Sequence, residues 1–211
     1  MTLAYDAVLF DFDGVLADSE PIHYAVWMDV LRPFDISMDW ETYQRIAIGI
    51  SDRLMIERLA AQRTPPVPFE TVWAVYPAKR NALRERLLAD PQVFHPDTLT
   101  LVRELSRVVP LAVVSSSGRN EVEQPLVQIG VADCFQAMVC GLEAGRLKPE
   151  PDPYLRAAAL LGAVRPLVVE DSAAGEASGR AAGFDVLRVA NPKEVAVRVR
   201  EKVGLKEADR S

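Results

Sequence analysis

Ala7-Val8-Leu9-Phe10 is a continuous apolar run that stops at Asp11-Phe12-Asp13-Gly14. Such a run predicts a strand buried on both faces, and the Asp-Gly after it predicts a sharp turn. Ser19-Glu20-Pro21 then supplies a helix start, with Ile22, Val26 and Val30 at helical spacing. From there to about Asp90 only helical patterns follow: around Trp40–Ala47, around Asp52–Gln62 behind a Ser51 cap, and around Phe69–Leu88, with Pro65-Pro66-Val67-Pro68 as a loop between helices. After Asp90 the pattern alternates. Helices at Asp97–Val108, Asn120–Ile129, Pro153–Leu161 and Ala173–Ala182 lead into strands at Leu111–Ser115, Ala137–Cys140, Leu167–Glu170 and Asp185–Val189. Strands separated by helices of this length predict a doubly wound, Rossmann-like α/β core with a parallel sheet. The first strand belongs to that core. Residues 1–16 and 91–211 are therefore expected to form one domain, and 17–90 an inserted small helical domain whose two linkers act as hinges.

The totals narrow the partners. The chain has 211 residues, 49% of them hydrophobic, enough for a core domain and a small second one. A net charge of −6 argues against a nucleic acid or an anionic membrane surface as main partner. Acids at positions 6, 11 and 13 break the N-terminal apolar run, so neither a signal peptide nor a span is expected there, and a cytoplasmic monomer is the default. Cys134 and Cys140 lie too far apart for a Cys-x-x-Cys motif and are expected to be reduced packing residues. His95, Trp73 and Tyr76 are likewise taken as structural.

The ends of the predicted strands hold the chemistry, because ligands in open α/β sheets bind beyond the carboxyl ends of the strands. Asp11 and Asp13 follow the first strand, Ser115-Ser116-Ser117-Gly118 closes the second, Lys148-Pro149 follows the third, and Glu170-Asp171 closes the fourth. Each feature alone has a plain structural explanation: a turn, a helix cap, a solvated lysine, or acids at a helix N-terminus. Together they are four carboxylates and one ammonium. Lys148 cannot balance four acids, so a divalent cation is implied, and oxygen ligands suit Mg²⁺.

Taken in order, Asp-x-Asp-Gly-Val-x-x-Asp-Ser, strand-Ser-Ser, Lys-Pro-x-Pro-Asp and strand-Glu-Asp-Ser resemble the haloacid dehalogenase superfamily over nearly the whole chain. The helical insertion after the first motif is similar to the capped subgroup that includes β-phosphoglucomutase and phosphoglycolate phosphatase. The resemblance implies Asp11 as nucleophile, Asp13 as general acid and base, Ser115 and Lys148 as catalytic partners on the phosphoryl group, and Asp11, Asp13, Glu170 and Asp171 as the Mg²⁺ site. An acid at position 13 disfavours dehalogenation. In the substrate-binding set it places Ser116, with His23, Gly49, Ser51, Arg53 and Lys79 from the cap. There the sequence departs from the mutase pattern: Gly49-Ile50-Ser51 is followed by Asp52, where the mutase has an arginine, and Arg53 comes one residue late. One residue turns a helical side chain by roughly 100°. The expected function is a Mg²⁺-dependent phosphatase acting on a small phosphorylated metabolite, a sugar phosphate or phosphoglycolate-like ester, through an aspartyl phosphate. A sugar phosphomutase is the nearest alternative, and a non-catalytic phosphate-binding protein is the alternative of another class.

Overall fold

The computed structural model describes residues 4–48 and 50–205. They fall into two compact units, one comprising 4–18 with 91–205 and the other 19–90. The first is the doubly wound α/β unit that the alternation predicts. Strands β1 (Ala7–Phe10), β2 (Leu111–Ser115), β3 (Ala137–Cys140), β4 (Pro166–Glu170) and β5 (Asp185–Arg188) form one parallel sheet in the order β3-β2-β1-β4-β5. Every residue of β1, β2 and β4 is buried, as their unbroken apolar runs require, whereas β5 at the edge is largely exposed.

Phe10 pairs with Val113 on one side and Val169 on the other. The next residue, Asp11, is thereby level with Val114 and Glu170. Because β1 lies between β2 and β4, the connections leave it in opposite directions, and the crevice at this switch point is where a doubly wound sheet binds ligands. The segments leaving and re-entering this unit run side by side, Ala17 bridging to Phe94 and Asp18 N donating to Val93 O at 2.8 Å.

The helical unit contains α1 (Glu20–Leu31), α2 (Trp40–Ile46), α3 (Asp52–Gln62), α4 (Phe69–Trp73) and α5 (Tyr76–Ala89). Its core gathers Trp27, Leu31, Tyr43, Ile56 and Val72. The single helix expected over Phe69–Leu88 is two helices: Pro77 has no N–H for the carbonyl one turn earlier, and the chain turns at Ala74–Val75 before α5 begins. In the α/β unit, α6 (Pro96–Leu105), α7 (Arg119–Gln128), α8 (Asp152–Leu161) and α9 (Ala173–Ala181) lie within three residues of their expected bounds. A further helix, α10 (Pro192–Val203), was not expected. Asn191 caps it by accepting from Lys193 N at 3.0 Å, and Val195, Val199 and Val203 bury one face. No helix among the described residues is long and apolar enough to cross a membrane.

Candidate active site

Asp11 leaves β1 as its last sheet-bonded residue, its N–H donating to Val169 O at 3.0 Å. The chain then closes a tight loop in which Phe12 O accepts from Leu16 N and Ala17 N. Gly14 sits at φ +73°, and a Cβ there would lie 2.1 Å from Asp171 Oδ2. Glycine is thus required twice, by the left-handed backbone and by the close approach of the Asp171 carboxylate.

Lys148 reaches this point from the loop after β3, where its peptide bond to Pro149 is cis. Arg146 braces the loop by donating to Glu150 Oε2 at 2.9 Å and Asp152 Oδ1 at 3.1 Å. The Lys148 side chain is 5% exposed and its three protons have three acceptors: Asp11 Oδ1 at 2.7 Å, Val114 O at 2.9 Å and Glu170 Oε1 at 2.5 Å. Glu170 is fully buried. Its Oε1 also accepts from Tyr154 OH at 2.7 Å, and its Oε2 accepts from Asp171 N, Ser172 N and Ser172 Oγ, each at 3.1 Å. Burial favours the neutral acid, yet Lys148 and these donors hold Glu170 below the usual carboxylate range.

Asp11 behaves in the opposite way. Burial, and then the Glu170, Asp171 and Asp13 carboxylates, push its pKa well above the ordinary value although Lys148 pulls it down. Burial works against the Lys148 ammonium as well, but Asp11 and Glu170 more than reverse that and hold it charged. An ionised Asp11 therefore needs more positive charge than the protein supplies. Asp11, Glu170 and Asp171 each place a carboxylate oxygen within 4.8 Å of the others. This all-oxygen donor set, short of positive charge, fits a hard divalent cation.

Asp13, two residues on and only half-buried, accepts from Ser117 Oγ at 2.8 Å and, at the limit of bonding, from Ser115 Oγ at 3.5 Å. Ser115 Oγ in turn accepts from Ser117 N at 3.0 Å, so the turn after β2 holds both hydroxyls near Asp13. Ser116 is exposed between them. Ser117 was not singled out from the sequence; the run Ser115-Ser116-Ser117-Gly118 contained it, but not which hydroxyl meets Asp13. Tyr154 was also missed, for its contact depends on how α8 packs under β1, β2 and β3.

Of the candidates in the helical unit, Lys79 and His23 come together. Lys79, 2% exposed, donates to Asp52 Oδ2 at 2.8 Å, lies 3.2 Å from His23 Nδ1 and stands 5.1 Å above the Trp27 ring. Trp27 Nε1 donates to Asp52 Oδ1 at 3.2 Å. The acid that departs from the mutase pattern is the partner of a buried lysine. Ser51 caps α3, its Oγ accepting from Leu54 N. Arg53 pairs with Glu57 at 3.1 Å and lies 4.6 Å over the Phe69 ring. Gly49 falls outside the described residues.

A family model for haloacid dehalogenase-like hydrolases matches residues 8–189. The β-phosphoglucomutase of Mycobacterium bovis is 32% identical, the match covering 86% of this chain and 79% of that protein. The fructose-1-phosphate phosphatase YqaB of Escherichia coli is 29% identical, covering 88% and 96%. Among solved structures, β-phosphoglucomutase from Clostridium difficile superposes with a TM-score of 0.75 at 21% identity, covering 95% of this chain and 89% of that one.

Proposed function

Because this chain belongs to the haloacid dehalogenase-like hydrolases, we propose that it is a phosphatase that removes phosphate from a small metabolite, a sugar phosphate or phosphoglycolate-like ester. The observation that carries this reading is the separation of two carboxylates into two environments. Asp11 is buried against the Lys148 ammonium, while Asp13 is half-buried and held by hydroxyls. Pairs of acids pushed apart in this way divide nucleophile from acid–base.

In the first step an Asp11 oxygen attacks phosphorus, the ester oxygen leaves, and Asp13 gives that oxygen its proton. In the second, Asp13 takes a proton from water as the water oxygen attacks the same phosphorus and Asp11 is released. Lys148 stays charged throughout, and the Ser115 hydroxyl donates to a phosphoryl oxygen. Mg²⁺ would be held by Asp11, Glu170, Asp171 and the backbone carbonyl of Asp13. When bound, it supplies positive charge that lets an anionic nucleophile meet an anionic phosphate.

The names of the Escherichia coli and mycobacterial relatives support a phosphorylated sugar as substrate. The second of them also keeps open the phosphomutase reading, in which the sugar's own hydroxyl replaces water. A panel of hexose phosphates and phosphoglycolate, assayed with Mg²⁺ and with chelator, decides between the two. Net release of phosphate that requires Mg²⁺ is the expected result, and interconversion of isomers without release would replace the phosphatase by the mutase. Asp11→Asn is expected to abolish turnover; full activity in that variant would refute the nucleophile.

A further inference from the structure

We infer that Tyr154 is a positioning residue for the reaction, acting through Glu170 on Lys148; the inference rests on the assignment of Lys148 made above. Tyr154 is completely buried on α8, and its hydroxyl donates to Glu170 Oε1 at 2.7 Å. That same oxygen binds Lys148 Nζ at 2.5 Å. A carboxylate oxygen has two lone pairs, and here the phenol takes one and the ammonium the other. The opposite oxygen is held by Asp171 N and by the amide and hydroxyl of Ser172. Glu170 is consequently clamped from both sides. It can neither swing about its last torsion nor draw Lys148 away from Asp11, whose Oδ1 is 2.7 Å from the ammonium.

The Tyr154 ring adds a second restraint, because Lys148 Nζ lies 5.0 Å from its centroid, within reach of the ring's negative face. Burying a phenol without a partner is costly, and a phenylalanine would fill the same volume among the apolar residues of this core. The hydroxyl is therefore explained by what it holds. Without it, Glu170 Oε1 regains a free lone pair and the carboxylate can rotate, so the ammonium loses its fixed distance to the attacking oxygen.

The test is a double-mutant cycle between Tyr154→Phe and Lys148→Ala, read with Mg²⁺ at saturation on the ester found by the panel. Tyr154→Phe is expected to lower kcat about tenfold, with KM within about twofold and the thermal midpoint close to wild type. In the Lys148→Ala background the same change is expected to cost less than about twofold, because its target is gone. Equal losses in both backgrounds, or an unchanged kcat in Tyr154→Phe, would overturn the inference. Full activity in Lys148→Ala would instead remove the assignment of Lys148 itself, which separates the two failures. Should Tyr154→Phe fail to fold, or Lys148→Ala turn over too slowly to compare, Glu170→Gln probes the same link. It is expected to lower kcat at saturating Mg²⁺, and an unchanged kcat there would overturn the inference.

Discussion

Replacing Gly175 by alanine should destabilise the α/β unit, against the usual direction of that change in a helix. Gly175 lies in the first turn of α9, where glycine normally costs about 0.5–1 kcal/mol relative to alanine. Here, however, a Cβ would sit 1.8 Å from Glu170 Oε1 and 1.9 Å from its carboxyl carbon, whereas real Cβ contacts essentially never fall below 3.0 Å. The carboxylate would have to retreat by more than 1 Å, and its bonds of 2.5 Å to Lys148 and 2.7 Å to Tyr154 could not both survive. Each hydrogen bond to a charged group is worth about 1.5–3 kcal/mol, so the net loss comes to about 2–5 kcal/mol after the helix-propensity gain. At about 2–4 °C per kcal/mol, the midpoint should drop by roughly 4–20 °C. Gly179→Ala, one turn on, is the comparison: its Cβ would meet Val186 Cγ2 at 2.8 Å and Val168 Cγ1 at 3.2 Å without touching Glu170, so the ordinary overpacking cost of about 1–3 kcal/mol is expected. Thermal melts of the two variants beside wild type give the answer. A Gly175→Ala protein as stable as wild type would show that Glu170 is not clamped as described.

Asp11 predicts a pH-dependent response to the cation. Its folded-state pKa is raised by burial and by the neighbouring carboxylates, so its stabilising contribution is fully present below its ordinary value and is lost as pH rises through the raised one. In chelator, wild type should lose stability relative to Asp11→Asn as pH rises above the ordinary carboxylate range, and Mg²⁺ should restore wild type only; parallel melting curves for the two proteins would sink this. In the helical unit, Asp52→Ala leaves the Lys79 ammonium, 3% exposed, without its carboxylate. Denaturant unfolding should show a loss of about 2–4 kcal/mol, less than for a fully buried pair because Asp52 keeps 29% exposure, and an unchanged midpoint would show that Lys79 finds another partner.

What could be foreseen from the chain divides by range. Ala7–Phe10 reads as a strand because four apolar residues end at an acid, and Asp52–Gln62 as a helix because Ser51 caps it. Both signals are local. The signals for α10, an Asn191 cap, Pro192 and valines four apart, were equally local and equally present, as was the Pro77 that divides α4 from α5. The candidate site was legible as a set of strand ends, since sheet register alone brings Asp11 level with Glu170. Contacts through the third dimension were not. Tyr154 meets Glu170 across 16 positions, Ser117 meets Asp13 across 104, and Lys79 meets Asp52 across 27, so no window of sequence contains both partners. Lys79 in particular has the sequence character of a solvated surface residue, and it is buried by the packing of α5 on α1 and by its contact with Asp52 at the start of α3.

Lys148 draws one acceptor from the end of each of three adjacent strands, β1, β2 and β4. This constrains how the protein can change over generations. A lineage that lost the lysine alone would leave the Asp11 and Glu170 carboxylates facing each other in a nearly dry pocket and, on the mechanism proposed above, would lose catalysis. Silencing the enzyme while keeping the scaffold requires neutralising an acid along with the lysine. A catalytically dead descendant should therefore carry paired substitutions, and an unpaired loss of Lys148 should lower stability.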